Sequence, residues 1–511
     1  RGRHRQGRRS RAGVTSGSDP AHGPRTPPTG AVRRLTGGVD LAAAVTTVDR
    51  IWEQSALPTL VDYIRIPAKS PAYDADWSEH GHLAEAADLV ASWCRSRDLP
   101  GATVEVRELA GRTPVVLVEV PAHGDGDPDD TVLLYGHLDK QPELTGWRDG
   151  LGPWTPVLDG DRLYGRGGAD DGYSAFAALS ALEAVRAAGG SHTRCLVLIE
   201  ASEESGSPDL PAHVEALGDR LGAVSLVVCL DSFAGDYDTM WVTTSLRGLV
   251  GLDVRVRVLD EGVHSGVAGG AVPSSFRILR SLLARIEDDE TGEVLVPELH
   301  AEIPPDRRAE AEAAVAAGLD PLAGLPFAGS TRPQGEDPVE VLLATTWRPS
   351  MAVVGIEGAP PLDDAGNVLR SETAVKLSFR LPPTTDAVAA AAALRARLTE
   401  DVPYDAVVEV TGDEAATGWA ASPTAPWLAG ALADAASATF GHPALFTGVG
   451  GAIPFINMLG ERFPDAQFVV TGVLGPGSNA HGPNEFLHVP TARRLSACVA
   501  AALDAHAHRA G

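Results

Sequence analysis

Cysteine is scarce in this sequence, with four in 511 residues. The four stand far apart, at Cys94, Cys195, Cys229 and Cys498. This spacing argues against both a disulfide framework and a Cys-x-x-Cys zinc site. Because Cys195 and Cys229 lie inside apolar runs that are typical of strands, we expect buried, reduced thiols in a cytoplasmic protein.

Long hydrophobic runs are also missing, since no segment approaches the ~20 apolar residues of a membrane-spanning helix. A membrane partner is therefore not expected. Apolar residues make up 44% and charged residues 22% of the chain, which is typical of a globular protein. At a guide of ~150 residues per domain, a chain of 511 residues predicts two domains or more.

Positive charge is sparse beyond the first 34 residues. That opening segment carries nine arginines and one acidic residue, Asp19, although the whole chain has a net charge of −26. The part of the chain after residue 34 is therefore strongly acidic. It should not bind nucleic acid, because binding requires Lys and Arg to neutralise phosphates. The opening segment lacks hydrophobic periodicity and the apolar core of a secretory signal. Residues 1–40 are therefore predicted to be a disordered basic tail, with a targeting or nucleic-acid-binding arm as the alternative.

Short apolar runs alternate with a helical pattern in the first half of the chain. Continuous apolar strands separated by helices predict a mixed or parallel sheet that helices cover on both faces. The expected fold class is therefore α/β. The strand-like runs are 113–120, 131–139, 195–202 and 225–232, and the helical pattern is 173–189.

The pattern changes near residue 245. Runs at 249–259 and 374–382 alternate apolar with polar residues, as strands of a half-exposed antiparallel sheet do. We therefore predict an inserted α+β domain of ordinary size, after which a strand at 467–475 resumes the first domain. The predicted division is a tail at 1–40, a catalytic domain at 41–244 and 414–511, and an insertion at 245–413.

Histidines and carboxylates cluster in five segments, and three of these follow predicted strands. Ligands collect at the carboxyl ends of strands in such sheets. Histidine and carboxylate without thiolate suit a catalytic zinc, manganese or cobalt site. Taken singly, His137 fits a core histidine, and Asp170 with Asp171 fits a helix cap. The segments are YGHLDKQPE (135–143), GRGGADDG (165–172), EASEESGS (200–207), CLDS (229–232) and GSNAHGPNE (477–485).

In their order along the chain, these segments resemble the di-zinc family of dipeptidases and aminoacylases. That family includes carnosinase-like dipeptidases, carboxypeptidase-G-like enzymes and succinyl-diaminopimelate desuccinylases. The resemblance covers about residues 45–505. It implies a zinc-peptidase-like catalytic domain with an inserted lid and dimerisation domain. It also implies two Zn²⁺ ions, with Mn²⁺ or Co²⁺ as alternatives, and a homodimer.

The resemblance also implies the metal ligands. Asp139 would accept a hydrogen bond from His137 and so fix its tautomer. Family members often hold the bridging aspartate in a cis peptide bond, which here would join Asp170 to Asp171. The implied ligands are His137, Asp170 and Asp231 for one metal and Glu204, Asp170 and His481 for the other, with Asp170 as the bridge.

Two adjacent glutamates follow the strand at 195–202, where a solvated turn is the ordinary expectation. By the resemblance, Glu204 is a metal ligand and Glu203 is the general base. Glu203 would take a proton from the attacking water and pass it to the leaving amine. The alternative for the whole scaffold is a non-catalytic metal-binding protein, and the presence of Glu203 weighs against it.

Further positions match substrate-binding positions of the family. His264 would stabilise the oxyanion, and in carnosinase-like relatives this histidine reaches the active site of the other subunit. Arg380 would grip the terminal carboxylate of the substrate, and the backbone N–H groups of Gly450 and Gly451 would cradle it. The alternatives are a solvent-facing histidine and an exposed strand arginine.

These features together predict a dipeptidase that cleaves beside a residue with a free carboxylate. An N-acyl-amino-acid deacylase, of the deacetylase or desuccinylase type, is the alternative. Two departures from the family pattern leave the substrate open. Gly172 stands where many relatives have lysine, and Ala452 stands where carnosinase-like relatives have serine.

Overall fold

The computed structural model of the protein describes residues 38–451 and 454–509. Ala452 and most of the predicted tail lie outside these residues. The helices are α1 Leu41–Ile51, α2 Leu57–Arg65, α3 Trp77–His80, α4 His82–Arg95, α5 Ser174–Ala187, α6 Leu210–Leu217, α7 Ser265–Ala268, α8 Ser275–Leu283, α9 Pro305–Ala316, α10 Pro338–Thr346, α11 Ala387–Thr399, α12 Pro426–Thr439, α13 Pro454–Arg462 and α14 Val489–Ala507. The strands are β1 Thr103–Arg107, β2 Val115–Val120, β3 Asp130–His137, β4 Val157–Asp159, β5 Arg162–Tyr164, β6 Arg194–Glu200, β7 Ala223–Cys229, β8 Trp241–Leu246, β9 Gly248–Arg257, β10 Val263–His264, β11 Ser350–Glu357, β12 Val368–Leu369, β13 Glu372–Leu381, β14 Val407–Ala416, β15 Trp419–Ala420, β16 Leu445–Val449, β17 Gln467–Val470 and β18 Phe486–His488.

A nine-stranded mixed sheet organises the fold. Its order is β1-β2-β6-β3-β7-β17-β8-β15, and β16 pairs with β8. The neighbours β6, β3, β7 and β17 are parallel, whereas β2 and β8 run antiparallel to the strands beside them in this central group. Strand β3 is buried over almost its whole length, as expected for a strand covered on both faces. The predicted mixed sheet covered by helices is confirmed.

Side chains of β3 alternate between two hydrophobic clusters on opposite faces of the sheet. Val132 and Leu134 belong to the cluster that includes residues of α1, α5, α12 and α14. Leu133 and Tyr135 belong to the cluster that includes residues of α6 and α13. Helix α5 is buried all round from residue 174 to residue 185, as expected for a helix with apolar residues on every side. In the part of the chain that the structure describes, no helix has the length and apolarity to cross a membrane.

A second sheet is antiparallel and has the order β11-β13-β9-β14. Its buried face packs on α8 and α11, where Val254 and Leu377 share a cluster with Leu279 and Leu394. Helices α9 and α10 lie inside the predicted insertion but contribute to a cluster around Trp241 of β8 in the large sheet. The domain boundaries therefore stay a prediction, although the two sheets are distinct.

Candidate metal centre

Three parallel strands deliver side chains to one edge of the large sheet. Strand β3 ends at His137, Glu203 follows β6 within three residues, and Asp231 follows β7 within two. Because β6, β3 and β7 are neighbours in register, their carboxyl ends lie side by side. The buried apolar runs of these strands thus end at residues that can bind a metal.

Asp170 comes from the turn Gly168–Gly172, which leads into α5 and is not helical at Asp170 and Asp171. The peptide bond from Asp170 to Asp171 is cis. A Cβ atom added at Gly172 would lie 2.1 Å from the Tyr63 ring, which is too close for any side chain. The close approach of Tyr63 therefore leaves room only for glycine at position 172.

The first ligand group surrounds His137, which is fully buried. Its Nε2 lies 3.2 Å from Oδ1 of Asp170, 3.7 Å from Oδ2 of Asp231 and 4.0 Å from Oε2 of Glu203. Ligand atoms of His137, Glu203 and Asp231 all lie within 4.8 Å of one another. This spacing brings the predicted ligands and the predicted base together.

The second ligand group surrounds His481, whose side chain is 59% exposed. Its Nε2 lies 3.0 Å from Oδ2 of Asp170 and 3.2 Å from Oε2 of Glu204. Ligand atoms of these three residues also lie within 4.8 Å of one another. The two carboxylate oxygens of Asp170 thus face different histidines, and the residue joins the two groups.

Carboxylates outnumber cationic groups at this edge of the sheet. Burial, together with repulsion from Asp231, raises the pKa of Glu203, and burial with repulsion from Asp170 raises the pKa of Glu204. Burial and the charge of Asp170 raise the pKa of Asp231 to about 6. Buried charges are stable when they are paired or bind metals. A set of two histidines and several buried carboxylates therefore fits divalent metal ions.

Asp139 holds the turn that carries the two glutamates. Its carboxylate accepts hydrogen bonds from the backbone N–H of Glu203 at 3.1 Å and of Glu204 at 3.0 Å. Nδ1 of His137 lies 3.1 Å from the backbone oxygen of Asp139 and 3.5 Å from its Oδ1. Asp139 therefore orients both the histidine and the glutamate pair, a wider contact set than the predicted hydrogen bond.

Two arginines, Arg247 and Arg380, lie near the glycine-rich loop that contains Gly450 and Gly451. Arg380 stands opposite Ser350 in the register of β13 and β11. Arg247, at the junction of β8 and β9, donates to the carbonyl of Gly450 at 3.2 Å and to Ser350 Oγ at 3.3 Å. Burial and the nearby charge of Arg380 lower the pKa of Arg247 to about 10. Gly451 follows on the exposed side of the loop.

No sequence pattern assigned a role to Arg247. The signal that could have found it is its position between the last buried run of the first sheet and the first alternating run of the second. Over residues 38–451 and 454–509, neither Arg247 nor Arg380 forms an ion pair with a carboxylate. Two guanidinium groups without an acidic partner can bind a carboxylate from outside.

His264 ends β10 directly before α7 and is exposed. Its Nδ1 accepts a hydrogen bond from the backbone N–H of Gly266 at 3.1 Å. In the described part of the chain, no hydrogen bond or ion pair joins His264 to the two ligand groups. A role for His264 in catalysis therefore stays a prediction.

Three buried charged residues near the site lack a predicted role: Lys140, Arg166 and Glu485. Lys140 Nζ donates to the carbonyls of Tyr63 at 2.8 Å and Ile66 at 2.7 Å, and it lies 3.9 Å from the centre of the Tyr63 ring. It therefore ties the C-terminal end of α2 to the segment after β3. Arg166 and Glu485 form an ion pair at 2.6 Å. In the sequence, the only sign of these three residues is that each is a charged residue inside a glycine-rich segment or a segment with predicted metal ligands.

A single protein-family model matches most of this chain. The model described as peptidase family M20/M25/M40 matches residues 133–505. That range contains every residue of both ligand groups and the two arginines.

Proteins named as dipeptidases are similar to this chain in sequence. The chain is 29% identical over 388 residues to the cysteinylglycine-S-conjugate dipeptidase of Corynebacterium striatum, covering 71% of this chain and 79% of that relative. It is 32% identical over 277 residues to the Beta-Ala-His dipeptidase of Homo sapiens, covering 53% of each chain. The match to the human protein thus spans about half of its length.

Solved structures share the fold over most of the chain. Human carnosine dipeptidase 1 superposes with a TM-score of 0.70 at 23% identity, covering 92% of this chain and 99% of that one. The dipeptidase Dug1p from Saccharomyces cerevisiae superposes with a TM-score of 0.69 at 22% identity, with the same coverage of both chains. At these identities, the likeness establishes the fold.

Proposed function

The chain belongs to peptidase family M20/M25/M40, and we propose that it is a metal-dependent dipeptidase. It would hydrolyse the peptide bond beside a residue with a free carboxylate. The observation that carries this proposal is the pair of ligand groups joined through Asp170, with Glu203 beside them. Relatives named as dipeptidases in a bacterium and in human support the substrate class.

The metal centre is proposed to hold two Zn²⁺ ions, with Mn²⁺ or Co²⁺ as alternatives. His137 and Asp231 would bind one ion, Glu204 and His481 the other, and Asp170 both. When bound, such ions would polarise the scissile carbonyl and lower the pKa of the attacking water toward neutrality. The chain itself supplies the remaining steps.

Glu203 is proposed as the residue that moves the proton. Its carboxylate would accept a proton from the attacking water and then donate it to the leaving amine nitrogen. Its side chain is 14% exposed, so water and substrate can reach it. Asp139 fixes the backbone of Glu203 and Glu204 through two hydrogen bonds, which keeps the base at a constant distance from the neighbouring ligand.

The substrate carboxylate is proposed to bind Arg380, with Arg247 and the backbone of Gly450 and Gly451 beside it. The two guanidinium groups form no ion pair in the described residues, and a carboxylate would neutralise them. Carboxylate and guanidinium form paired, charge-assisted hydrogen bonds. Substrates without the carboxylate should therefore bind weakly.

Arg380→Lys is expected to raise KM for a dipeptide by about 10- to 100-fold, because a charge-assisted hydrogen bond contributes about 1.5–3 kcal/mol. The measurement is steady-state kinetics on a dipeptide and on its C-terminal amide. Parent and variant should cleave the amide equally poorly. Arg255, which pairs with Glu357 and Glu372 on the second sheet, supplies the control variant Arg255→Lys. An unchanged KM for the dipeptide in Arg380→Lys would remove the arginine from the site.

The protein is proposed to be a homodimer in which residues 245–413 form the lid and the dimer contact. Edge strand β11 exposes Val353, Val354 and Ile356, and an exposed apolar edge strand favours pairing with another chain. In the described residues, His264 forms no hydrogen bond or ion pair with the ligand groups of its own chain. A contribution of His264 to the partner's site is consistent with that position.

A mixed dimer tests this arrangement. One subunit carries His264→Ala and the other carries Glu203→Ala. By this account, a homodimer of either variant is inactive. In a mixed dimer purified through two different tags, one site keeps its own Glu203 and receives an intact His264 from the partner subunit. We expect about half of the parent activity per dimer, since one of two symmetric sites is complete. A mixed dimer with no activity would contradict a role for His264 across the interface.

The cellular setting is proposed to be the cytoplasm, without a nucleic-acid or membrane partner. All four cysteines are buried and free, which fits a reducing compartment. The net charge of −26 disfavours binding to phosphates. Unchanged fluorescence anisotropy of labelled DNA and RNA on adding protein at low salt is the expected result.

The substrate class is tested with two panels supplied with Zn²⁺ or Mn²⁺. One panel contains dipeptides with free C-terminal carboxylates, and the other contains N-acetyl and N-succinyl amino acids. We expect kcat/KM to be higher for dipeptides by at least about 10-fold, a difference of about 1.4 kcal/mol in transition-state binding. The reverse preference would identify the reaction as N-acyl-amino-acid deacylation.

A further inference from the structure

We infer that Arg166 and Glu485 are positioning residues that set the spacing of the two ligand groups without binding metal. The inference rests on the proposed metal centre and concerns how the chain builds it. The two side chains form a buried ion pair of 2.6 Å between segments that lie 319 residues apart.

Arg166 connects the segment that carries His481 to the segment whose Gln141 contacts Glu204. Its side chain is 1% exposed. Besides Glu485, it donates from Nη2 to the carbonyl of Gly482 at 2.8 Å and from Nε to the carbonyl of Pro142 at 3.3 Å. Gly482 directly follows His481, and Pro142 directly follows Gln141, whose side-chain amide donates to Glu204. One guanidinium thus fixes the backbone beside two ligand-contacting residues.

Glu485 fixes the turn that carries the bridging aspartate. Its carboxylate is fully buried. While Oε2 accepts from Arg166, Oε1 faces the backbone N–H groups of Gly167 at 2.9 Å, Ala169 at 3.3 Å and Asp170 at 3.4 Å. One carboxylate oxygen therefore accepts from three backbone donors in the turn Gly168–Gly172 and the residue before it, and this holds Asp170 in position.

A purely stabilising role does not explain this arrangement. A buried ion pair contributes little net stability, because desolvation offsets the attraction between the charges. Beyond the pair itself, the hydrogen bonds of these two side chains all go to segments that carry metal ligands. The pair of Arg97 and Glu183 is also largely buried, with side chains 12% and 9% exposed and 3.7 Å apart, but it joins α5 to the segment after α4. Residues that orient metal ligands typically change metal affinity by about 10- to 100-fold when replaced.

The first test is a Zn²⁺ competition titration of Glu485→Gln against a chromophoric chelator. Glutamine keeps the size and one acceptor but loses the charge that pairs with Arg166. We expect the Zn²⁺ affinity of both ligand groups to fall by about 10-fold or more. With saturating Zn²⁺, kcat for a dipeptide should fall while KM changes less than about 2-fold, because no substrate contact is removed. Glu183→Gln is the matched control and should keep the parent affinity.

A second variant, Arg166→Lys, should affect the Zn²⁺ affinity of one ligand group more than that of the other. Lysine keeps the positive charge for Glu485 but cannot reach the carbonyls of both Gly482 and Pro142. We expect the Zn²⁺ affinity of the group with Glu204 and His481 to fall by about 10-fold. The group with His137 should stay within about 3-fold. This variant decides the matter if Glu485→Gln does not fold.

The inference is overturned if both variants bind two Zn²⁺ ions within about 3-fold of the parent affinity while losing thermal stability as Glu183→Gln does. It also fails if the parent binds no Zn²⁺, since the metal centre would then be absent. If the parent protein binds two Zn²⁺ ions but cleaves no dipeptide, only the proposed dipeptide substrate is contradicted. In that case, the affinity measurements would still decide the role of the pair.

Discussion

Glu203→Gln is expected to lower kcat by about 10²- to 10⁴-fold, the usual contribution of a general base. Glutamine has the size of glutamate but cannot take a proton from water at neutral pH. The variant should keep two metal ions per chain, because the ligands His137, Asp231 and Glu204 are unchanged. KM should also change little. Stopped assays of dipeptide hydrolysis, with metal content measured on the same sample, check both statements.

The matched comparison is the neighbouring residue, through Glu204→Gln. By this account, that change removes a ligand, so it should reduce metal content as well as turnover. Both glutamates are held by the same carboxylate of Asp139, so damage to the backbone would affect the two variants alike. Turnover of Glu203→Gln within about 10-fold of the parent would show that another group takes the proton.

Asp170→Asn is expected to have the second large effect, the loss of both metal ions. The two oxygens of Asp170 face His137 at 3.2 Å and His481 at 3.0 Å, so one substitution weakens both groups. Activity should fall to less than about a thousandth of the parent value, since the metals supply several kcal/mol of charge stabilisation. Mass-spectrometric metal analysis after dialysis measures the loss directly.

Asp209→Asn controls for general damage in that experiment. Asp209 is hydrogen-bonded to the backbone and hydroxyl of Thr113 and to Arg112, and it has no contact with either ligand group in the described residues. It should lose stability without losing metal. An Asp170→Asn variant that retains two tightly bound ions would exclude this residue as the bridge.

Much of the site follows from local sequence. A buried parallel strand must be apolar along its length, so its end is marked where a polar residue first appears. His137 and Asp231 come directly at or after such ends, and Glu203 follows one within a single turn. The apolar runs and the polar residues that end them are therefore enough to locate this edge of the sheet. The resemblance to the family then assigned the ligands.

Long-range contacts explain what local sequence left out. The contact between Arg166 and Glu485 joins positions that are 319 residues apart, and periodicity within a segment carries no information about such a partner. Arg247 likewise acquires its neighbours Ser350 and Gly450 only when separate parts of the chain meet. These residues are charged and buried, or partly buried, and only the folded chain shows what pairs with them.

Helix boundaries show the same limit at a smaller scale. The apolar spacing of residues 42–66 predicts one amphipathic helix, whereas the structure has α1 and α2 joined by a π-helical turn, Trp52–Ala56. The helical pattern of residues 80–99 predicts a second helix, and the structure starts α4 only after Gly81, which adopts φ of 73° between α3 and α4. Glycine adopts this conformation readily, but whether a given glycine interrupts a helix depends on packing with the rest of the chain.

Anomalous diffraction at the zinc absorption edge, from crystals of the zinc-loaded protein, tests the two-metal centre most directly. This account predicts two peaks per chain, about 3.5–4 Å apart as in other two-metal hydrolases. One peak should lie beside His137 and Asp231, the other beside Glu204 and His481, and both beside Asp170. A single peak, or two peaks that do not share Asp170, would contradict the account.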